Sequence, residues 1–175
     1  TRASKMIVEL VRTLYRYSDW ANQRILDTAA AVSPEQFHAD VGASYSSLQE
    51  TLVHVMSSQW MWLMRWTGTS PQVLIDPSGF SDLAAVRARW AEVEADTQKF
   101  LAALDSKQLG QVINYLTTKG EPRSYPLWQP MLQQINHATQ HRSEAAVMLT
   151  DFGHSPGDLD FIIYLHRENR LPSVR

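Results

Sequence analysis

Two histidines, His137 and His141, lie four residues apart in the stretch HATQH. In an α-helix this spacing places two side chains about 40° apart on one face and one turn apart along the axis. Two ring nitrogens in that arrangement can bind one divalent cation. Two histidines exposed to water would show the same spacing. Metalloprotease chemistry is disfavoured, because residue 138 is Ala138 and not the glutamate that serves as general base in HExxH proteases.

His54 is a third candidate ligand. It lies off the main apolar arc of its segment, and its helical neighbours Thr51, Ser58 and Met61 form a smaller, more polar stripe. From periodicity alone, His54 is either a ligand that points into a polar cleft or a histidine in water. The remaining histidines fall in turns or near the C-terminus, where surface placement is expected: His38, His154 and His166.

The composition is that of an ordinary globular domain. The chain has 175 residues, a formal net charge of −2 and 44% apolar residues, so residues 1–175 are expected to form one domain with one core. This charge gives no bulk attraction to nucleic acid or to anionic lipid. Because no run of eighteen apolar residues occurs, no membrane span is expected. We therefore expect neither nucleic acid nor a membrane as a partner.

The chain contains no cysteine. This excludes a disulfide framework, a thiolate metal ligand and a cysteine nucleophile. Any bound metal must then be held by histidine, carboxylate or backbone groups. Residues 1–5 lack the apolar stretch of a secretory signal. Together these features favour a cytoplasmic location.

Four long segments carry apolar residues with the helical period of 3.6. They span residues 7–31, 47–66, 81–104 and 127–152. Local signals mark their ends: Ser33-Pro34 follows the first segment, and Ser47 with Glu50 forms a capping-box pattern at the start of the second. Gly153 is a natural terminator for the fourth.

The pattern changes between residues 111 and 126. Residues 112–117 predict a strand, residues 119–122 a turn and residues 123–125 a returning strand. Residues 158–166 predict a short terminal helix. The sequence thus predicts an all-α fold, a four-helix bundle with a small β-hairpin before the last long helix and a short C-terminal helix. Its two longest connections can cross the bundle, so the pattern leaves the order of the helices open.

Several motifs together resemble the DinB-like (DinB/YfiT) damage-inducible family. The matching stretches are YSDWAN at 17–22, LVHV at 52–55 and WMWLMRWTG at 60–68. The most specific is INHATQHRS at 135–143, which FGHSPGDLD follows at 152–160. Because these motifs lie near both ends of the chain, the resemblance covers nearly its whole length. The DNA polymerase that shares the family's name is a different and much longer protein.

The resemblance implies a bundle of up-down-down-up order with a divalent metal ion near one end. The family's histidine in the second long helix falls on His54, and its paired histidines fall on His137 and His141. The resemblance also implies a homodimer. Members of the wider superfamily include enzymes that transfer or isomerise with low-molecular-weight thiols. Many members have no assigned activity, and a shared fold does not determine a reaction.

A metal ion held by three neutral imidazoles has at least one open coordination position. A thiol bound there would lose its proton and become a nucleophile at neutral pH. That chemistry suits conjugation of a cytosolic thiol to an electrophile, and it would let a protein without cysteine use a sulfur from its cofactor. Zinc or nickel is the expected ion, with iron or manganese as alternatives.

Four polar residues are candidates for supporting roles. Glu50 and Gln134 each lie one turn before a candidate ligand and could orient its ring or contact a bound molecule. Arg142 and Glu144 could bind an acidic thiol or a carboxylate. For all four residues, ordinary solvation on a helix surface is the competing interpretation.

Three functions remain open at this point. The first is a metal-dependent transferase or isomerase-like enzyme that acts on a small thiol and a small-molecule substrate. The second is a metal-binding stress-response module without turnover. The third is a structural helical protein whose histidines bind nothing. Metal content separates the third from the others, and metal-dependent thiol consumption separates the first from the second.

Overall fold

The computed structural model describes residues 2–168. Within that range the chain is mostly helical, with one two-stranded antiparallel sheet. The α-helices and strands in chain order are α1 (Arg2–Ala29), α2 (Pro34–His38), α3 (Leu48–Trp66), α4 (Leu83–Ala103), α5 (Ser106–Gly110), β1 (Val112–Leu116), β2 (Pro122–Pro126), α6 (Trp128–Asp151) and α7 (Phe161–Glu168). A short 3-10 helix, Pro77–Gly79, lies between α3 and α4. The predicted helical class, the hairpin and the short terminal helix are confirmed.

The four long helices pack around two clusters of buried apolar side chains. α6 contacts α1 and α3, and α4 contacts the same two helices. Each long helix contributes to both clusters: Ile25, Leu52, Val86 and Leu149 belong to the first, and Val11, Trp66, Leu101 and Met131 to the second. Burial of these faces is the main stabilising term for helices of this kind. The up-down-down-up order stays a prediction.

Side-chain caps determine where several helices begin. Ser33 forms the full capping box of α2. The Ser47 hydroxyl accepts the Glu50 backbone N–H at the start of α3, at 3.2 Å. The Glu50 carboxylate accepts from Ser46 instead of returning to Ser47, so the predicted box is only half formed. α4 begins two residues later than predicted, because the carboxylate of Asp82 is its cap.

Other boundaries differ where the apolar period carries no signal. α1 begins at Arg2 and not at residue 7, because its first turns are exposed and good helix formers extend it. The sequence prediction missed α5, since a five-residue helix is too short to show a period. Its signal is the capping box of Asp105 and Gln108. α7 begins at Phe161, after a turn in which the Asp158 carboxylate accepts the Asp160 N–H.

The hairpin lies against the two helices that carry the histidines. β1 contacts α3, and β2 contacts α6. Asn114 pairs with Ser124 across the strands, where the serine hydroxyl donates to the asparagine carbonyl at 2.7 Å. Gly120 takes a positive φ of 77° in the connecting turn, a conformation that side chains disfavour. Across residues 2–168, every helix is too short or too polar to cross a membrane.

Candidate metal centre

α3 and α6 pack against each other and bring the three predicted histidines together. One ligand nitrogen from each of His54, His137 and His141 lies within 4.8 Å of the other two. The Nε2 atoms of His54 and His137 are 3.2 Å apart. His54 and His141 are 9% and 7% exposed, and His137 is half-buried. The tertiary structure therefore decides between the two interpretations of His54: it lies inside a cleft with the other two histidines.

The arrangement could hold a metal ion. In a tetrahedral site with metal–nitrogen bonds of about 2.0–2.1 Å, neighbouring ligand atoms are about 3.3 Å apart. The observed 3.2 Å between the Nε2 atoms of His54 and His137 matches that spacing. Within residues 2–168, the three histidines are the one group of metal-binding side chains that meets this way.

The electrostatics of the cleft favour the neutral form of His54 and His137. Burial, reinforced by the nearby rings of His137 and His141, lowers the pKa of His54 to about 3. Burial also lowers the pKa of His137, with His141 contributing and Glu144 opposing. Only a neutral imidazole has a free lone pair for a metal. The cleft thus favours the protonation state that a cation site needs.

Glu144 positions one of the candidate ligands. Its Oε2 lies 2.7 Å from Nδ1 of His141, three residues earlier on the same helix. A carboxylate that accepts the Nδ1–H leaves the Nε2 lone pair of the ring for the metal. The sequence interpretation gave Glu144 a different task, binding of a ligand. The i, i+3 spacing of the two residues was the available signal for the contact.

Tyr45 is a site residue that sequence reasoning missed. Its hydroxyl lies 3.0 Å from His54 Nε2, and its ring stacks on the His54 ring with centroids 4.1 Å apart. The ring also meets the edge of His141 at 5.4 Å. Burial, together with the charge of Glu144, raises the pKa of Tyr45, so its hydroxyl stays protonated and can donate. Tyr45 lies in the loop before α3, where no periodic pattern marks it.

The other three supporting candidates do not contact the histidine rings through hydrogen bonds. Glu50 binds Ser46 and so stabilises the loop that carries Tyr45. The Oε1 atom of Gln134 is buried without a hydrogen-bond partner among the described residues. Arg142 is buried against α1, away from any carboxylate-binding role in the cleft.

The three histidines predicted to lie at the surface stay outside the centre. His38 and His166 are exposed, and His154 is half-buried in the loop after α6. His38 Nε2 lies 3.0 Å from the carbonyl oxygen of Ser81.

Glu144→Gln should weaken Zn²⁺ binding by about 10–100-fold, the usual cost of losing the outer partner of a metal-ligating histidine. The amide keeps the shape of the side chain but removes the charge that holds His141. Competition with a chelating dye would measure the change. The matched control is Glu92→Gln, which changes an exposed glutamate on α4 that pairs with Arg89. Equal affinities in the two variants would contradict this role of Glu144.

The metal-free protein should lose stability as the pH falls below about 6.5. An unfolded histidine takes up a proton near pH 6.5, while folded His54 stays neutral until about 3. Protons therefore favour the unfolded chain across this window, by up to about 1.4 kcal/mol per pH unit for one histidine. His54→Gln removes this contribution.

Urea unfolding at pH 7 and pH 5, with a chelator present, measures the effect. The loss of unfolding free energy between the two pH values should be smaller in His54→Gln by up to about 2 kcal/mol. An identical pH dependence in parent and variant would show that His54 is not held neutral by the fold.

Comparisons with known proteins agree with this fold. A sequence model described as the DinB family matches residues 6–171. Protein DinB of Bacillus subtilis (strain 168) is 22% identical over 160 residues, which cover 87% of this chain and 91% of that protein. The crystal structure of a DinB-like protein from Bacillus cereus ATCC 10987 superposes with a TM-score of 0.64 at 12% identity, covering 83% of this chain and 94% of that one. Since the family match extends over nearly all of the sequence, the chain belongs to the DinB family.

Proposed function

We propose that this protein binds one divalent metal ion at His54, His137 and His141 and uses it to activate a low-molecular-weight thiol for transfer to a small electrophile. The observation that carries the proposal is the convergence of three imidazole nitrogens, within 4.8 Å of one another, in a half-buried cleft between α3 and α6. Neutral imidazoles suit zinc and nickel best, with iron or manganese as alternatives.

The ligand set supports an open site rather than a closed structural one. The group of ligand atoms contains three histidines and no carboxylate or cysteine among the described residues. Structural zinc sites use four protein ligands, whereas catalytic sites use three and leave a position for water or substrate. Three histidine ligands therefore favour a site that exchanges a small molecule.

A bound divalent ion would lower the pKa of a thiol that coordinates it and so supply a thiolate at neutral pH. The thiolate sulfur would form a bond to an electrophilic carbon, the leaving group would depart with its electron pair, and the thiol proton would go to solvent. Glu144 keeps His141 in the orientation for binding. The Tyr45 hydroxyl, beside His54, is placed to donate a hydrogen bond to a sulfur or a leaving group in the cleft.

The remaining expectations belong to the same proposal. We infer a single domain over residues 1–175 in up-down-down-up order, a homodimer and a cytoplasmic location, where low-molecular-weight thiols are abundant. The absence of cysteine supports the use of a small-molecule thiol, since the chain itself has no thiol group to offer.

The test combines metal content with thiol turnover. Protein made without a histidine tag is supplied with Zn²⁺ or Ni²⁺, dialysed, and analysed for metal per chain. L-Cysteine or 2-mercaptoethanol is then mixed with 1-chloro-2,4-dinitrobenzene, and the absorbance of the thioether product is followed. We expect about one ion per chain and a rate above background that a chelator abolishes.

His141→Ala and His166→Ala are the paired variants. The first removes a ligand, and the second removes an exposed histidine on α7. Activity lost only in His141→Ala supports the proposal. Stoichiometric metal with no turnover for any thiol would instead support a metal-binding stress-response module. Sub-stoichiometric metal would reject a metal function altogether.

A further inference from the structure

Two arginines are buried among residues 2–168, and they differ in their hydrogen bonding. Arg142 is 2% exposed, and its guanidinium donates to Ser18, Asn22 and Thr139. Arg65 is 7% exposed, yet its Nε is buried without a hydrogen-bond acceptor, and none of the ion pairs among residues 2–168 includes it. A buried N–H donor without an acceptor is costly, so the retention of Arg65 calls for a reason beyond stability.

The surroundings of Arg65 are aromatic. Its guanidinium carbon lies 4.8 Å from the ring centroid of Trp62 and 5.0 Å from that of Tyr115 on β1. The two rings meet edge to face at 5.3 Å, and Tyr125 on β2 lies 6.4 Å from Tyr115. Cation–π contacts compensate part of the cost of burial, but they leave the buried Nε–H of Arg65 without an acceptor.

A pocket opens directly beside these rings. It has a volume of about 370 Å³, within the range of about 300–1,000 Å³ that is usual for small-molecule sites. Its lining combines three aromatic rings, two amides and one proline: Trp62, Tyr115, Tyr125, Gln129, Pro130 and Gln133. The pocket thus offers flat ring faces and neutral hydrogen-bonding groups to a ligand. The positive charge of Arg65 lies against the rings of Trp62 and Tyr115.

The three histidines and four of the pocket-lining residues lie on the same two helices, α3 and α6. On α3, residues 54, 58 and 62 form a ridge at spacing four, and on α6 residues 129, 133, 137 and 141 form another. Trp62 is eight residues from His54, and Gln129 is eight residues from His137, so the pocket lies about 12 Å along the helices from the histidines.

We propose that this pocket, formed by α3, α6 and the hairpin, is a binding site for a flat, anionic organic group, such as an aromatic carboxylate. The aromatic walls stack on the ring of the ligand, and Arg65 supplies the charge that attracts its carboxylate. No carboxylate lines the pocket to compete with the ligand, and Glu121, just before β2, is paired with Arg123. Where the proposed thiol transfer holds, this site receives the far end of the electrophile or of the thiol.

Binding of three probes of one shape tests the charge selection. The metal-free protein, in chelator, is titrated with 2-naphthoate, 2-naphthalenemethanol and 2-naphthylmethylamine, and dissociation constants are measured calorimetrically. We expect the acid to bind at least tenfold more tightly than the alcohol, and the amine to bind most weakly. Equal affinities for acid and alcohol would overturn the proposal.

Arg65→Met should remove the preference for the acid, whereas Arg87→Met, which changes a surface arginine paired with Asp27, should leave it intact. A preference that survives in Arg65→Met would also overturn the proposal. If Arg65→Met does not fold, Tyr125→Ala replaces it: this side chain is 40% exposed, and its loss should weaken all three probes several-fold. An unchanged affinity in that variant counts against the pocket.

The pocket and the proposed metal chemistry can fail separately. His141→Ala should abolish metal-dependent thiol consumption and leave the naphthoate affinity within twofold of the parent. Naphthoate binding without thiol turnover would support the pocket and contradict the metal-dependent transfer. Thiol turnover without naphthoate binding would support the transfer and overturn the pocket.

Discussion

Replacing His137 with alanine is expected to lower the affinity for Zn²⁺ by about a thousandfold. Structural zinc sites in zinc-finger peptides, which have four protein ligands, bind with roughly 10–16 kcal/mol at neutral pH. One ligand on that scale carries up to about 4 kcal/mol, which corresponds to three orders of magnitude in Kd. His137 also lies next to His54, at 3.2 Å between Nε2 atoms, so its loss opens one side of the cation site.

Competition with a chelating dye at pH 7.5 would measure this loss, with His166→Ala as the control. Both variants remove one imidazole, but only His137 lies in the cleft, while His166 is exposed. Thermal unfolding without metal would show that both variants keep the fold. Affinities of His137→Ala and the parent within threefold of each other would mean that the three rings do not form the binding site.

Arg142→Met is expected to destabilise the protein by about 3 kcal/mol, an effect of the size seen when one member of a buried polar network is removed. The guanidinium joins α6 to α1 through Ser18 Oγ at 2.8 Å and Asn22 Oδ1 at 3.1 Å. A methionine side chain fills a similar space but cannot donate a hydrogen bond. Ser18 and Asn22, at 6% and 3% exposed, would then be buried without their partner.

Thermal unfolding with and without metal would record the change, and a fall in Tm of about 10 °C is expected for a domain of this size. Arg65→Met is the matched control, because Arg65 is buried to a similar degree but its Nε has no acceptor. Its stability should stay within about 1 kcal/mol of the parent. Equal losses in the two variants would show that the hydrogen bonds of Arg142 do not account for its effect.

The helices and the hairpin were predictable because their signals are local. A long apolar period needs only neighbours three and four residues away, so α3 and α6 were located to within one residue at each end. α5 lacks such a period because it has five residues. Exposed residues at the start of α1 carry no pattern either, which is why the helix begins earlier than the apolar stripe.

The pairing of His137 with His141 followed from the chain itself, since helical geometry determines the direction of side chains four residues apart. Periodicity could not place His54 beside them, because that contact joins residues 83 positions apart in the sequence. The resemblance to the DinB-like family indicated it, and the packing of α3 on α6 brings it about.

Tertiary packing alone decided the surroundings of the site. Tyr45 reaches His54 only because its loop folds back over α3, and Arg65 meets Tyr115 only because the hairpin lies against that helix. Burial, which lowers the pKa of His54 to about 3, is likewise a property of the assembled bundle. Residue types and helical spacing therefore determined which side chains could bind a metal ion. The distances between them, their exposure and the charges around them required the packed fold, because these properties depend on segments that are remote along the chain.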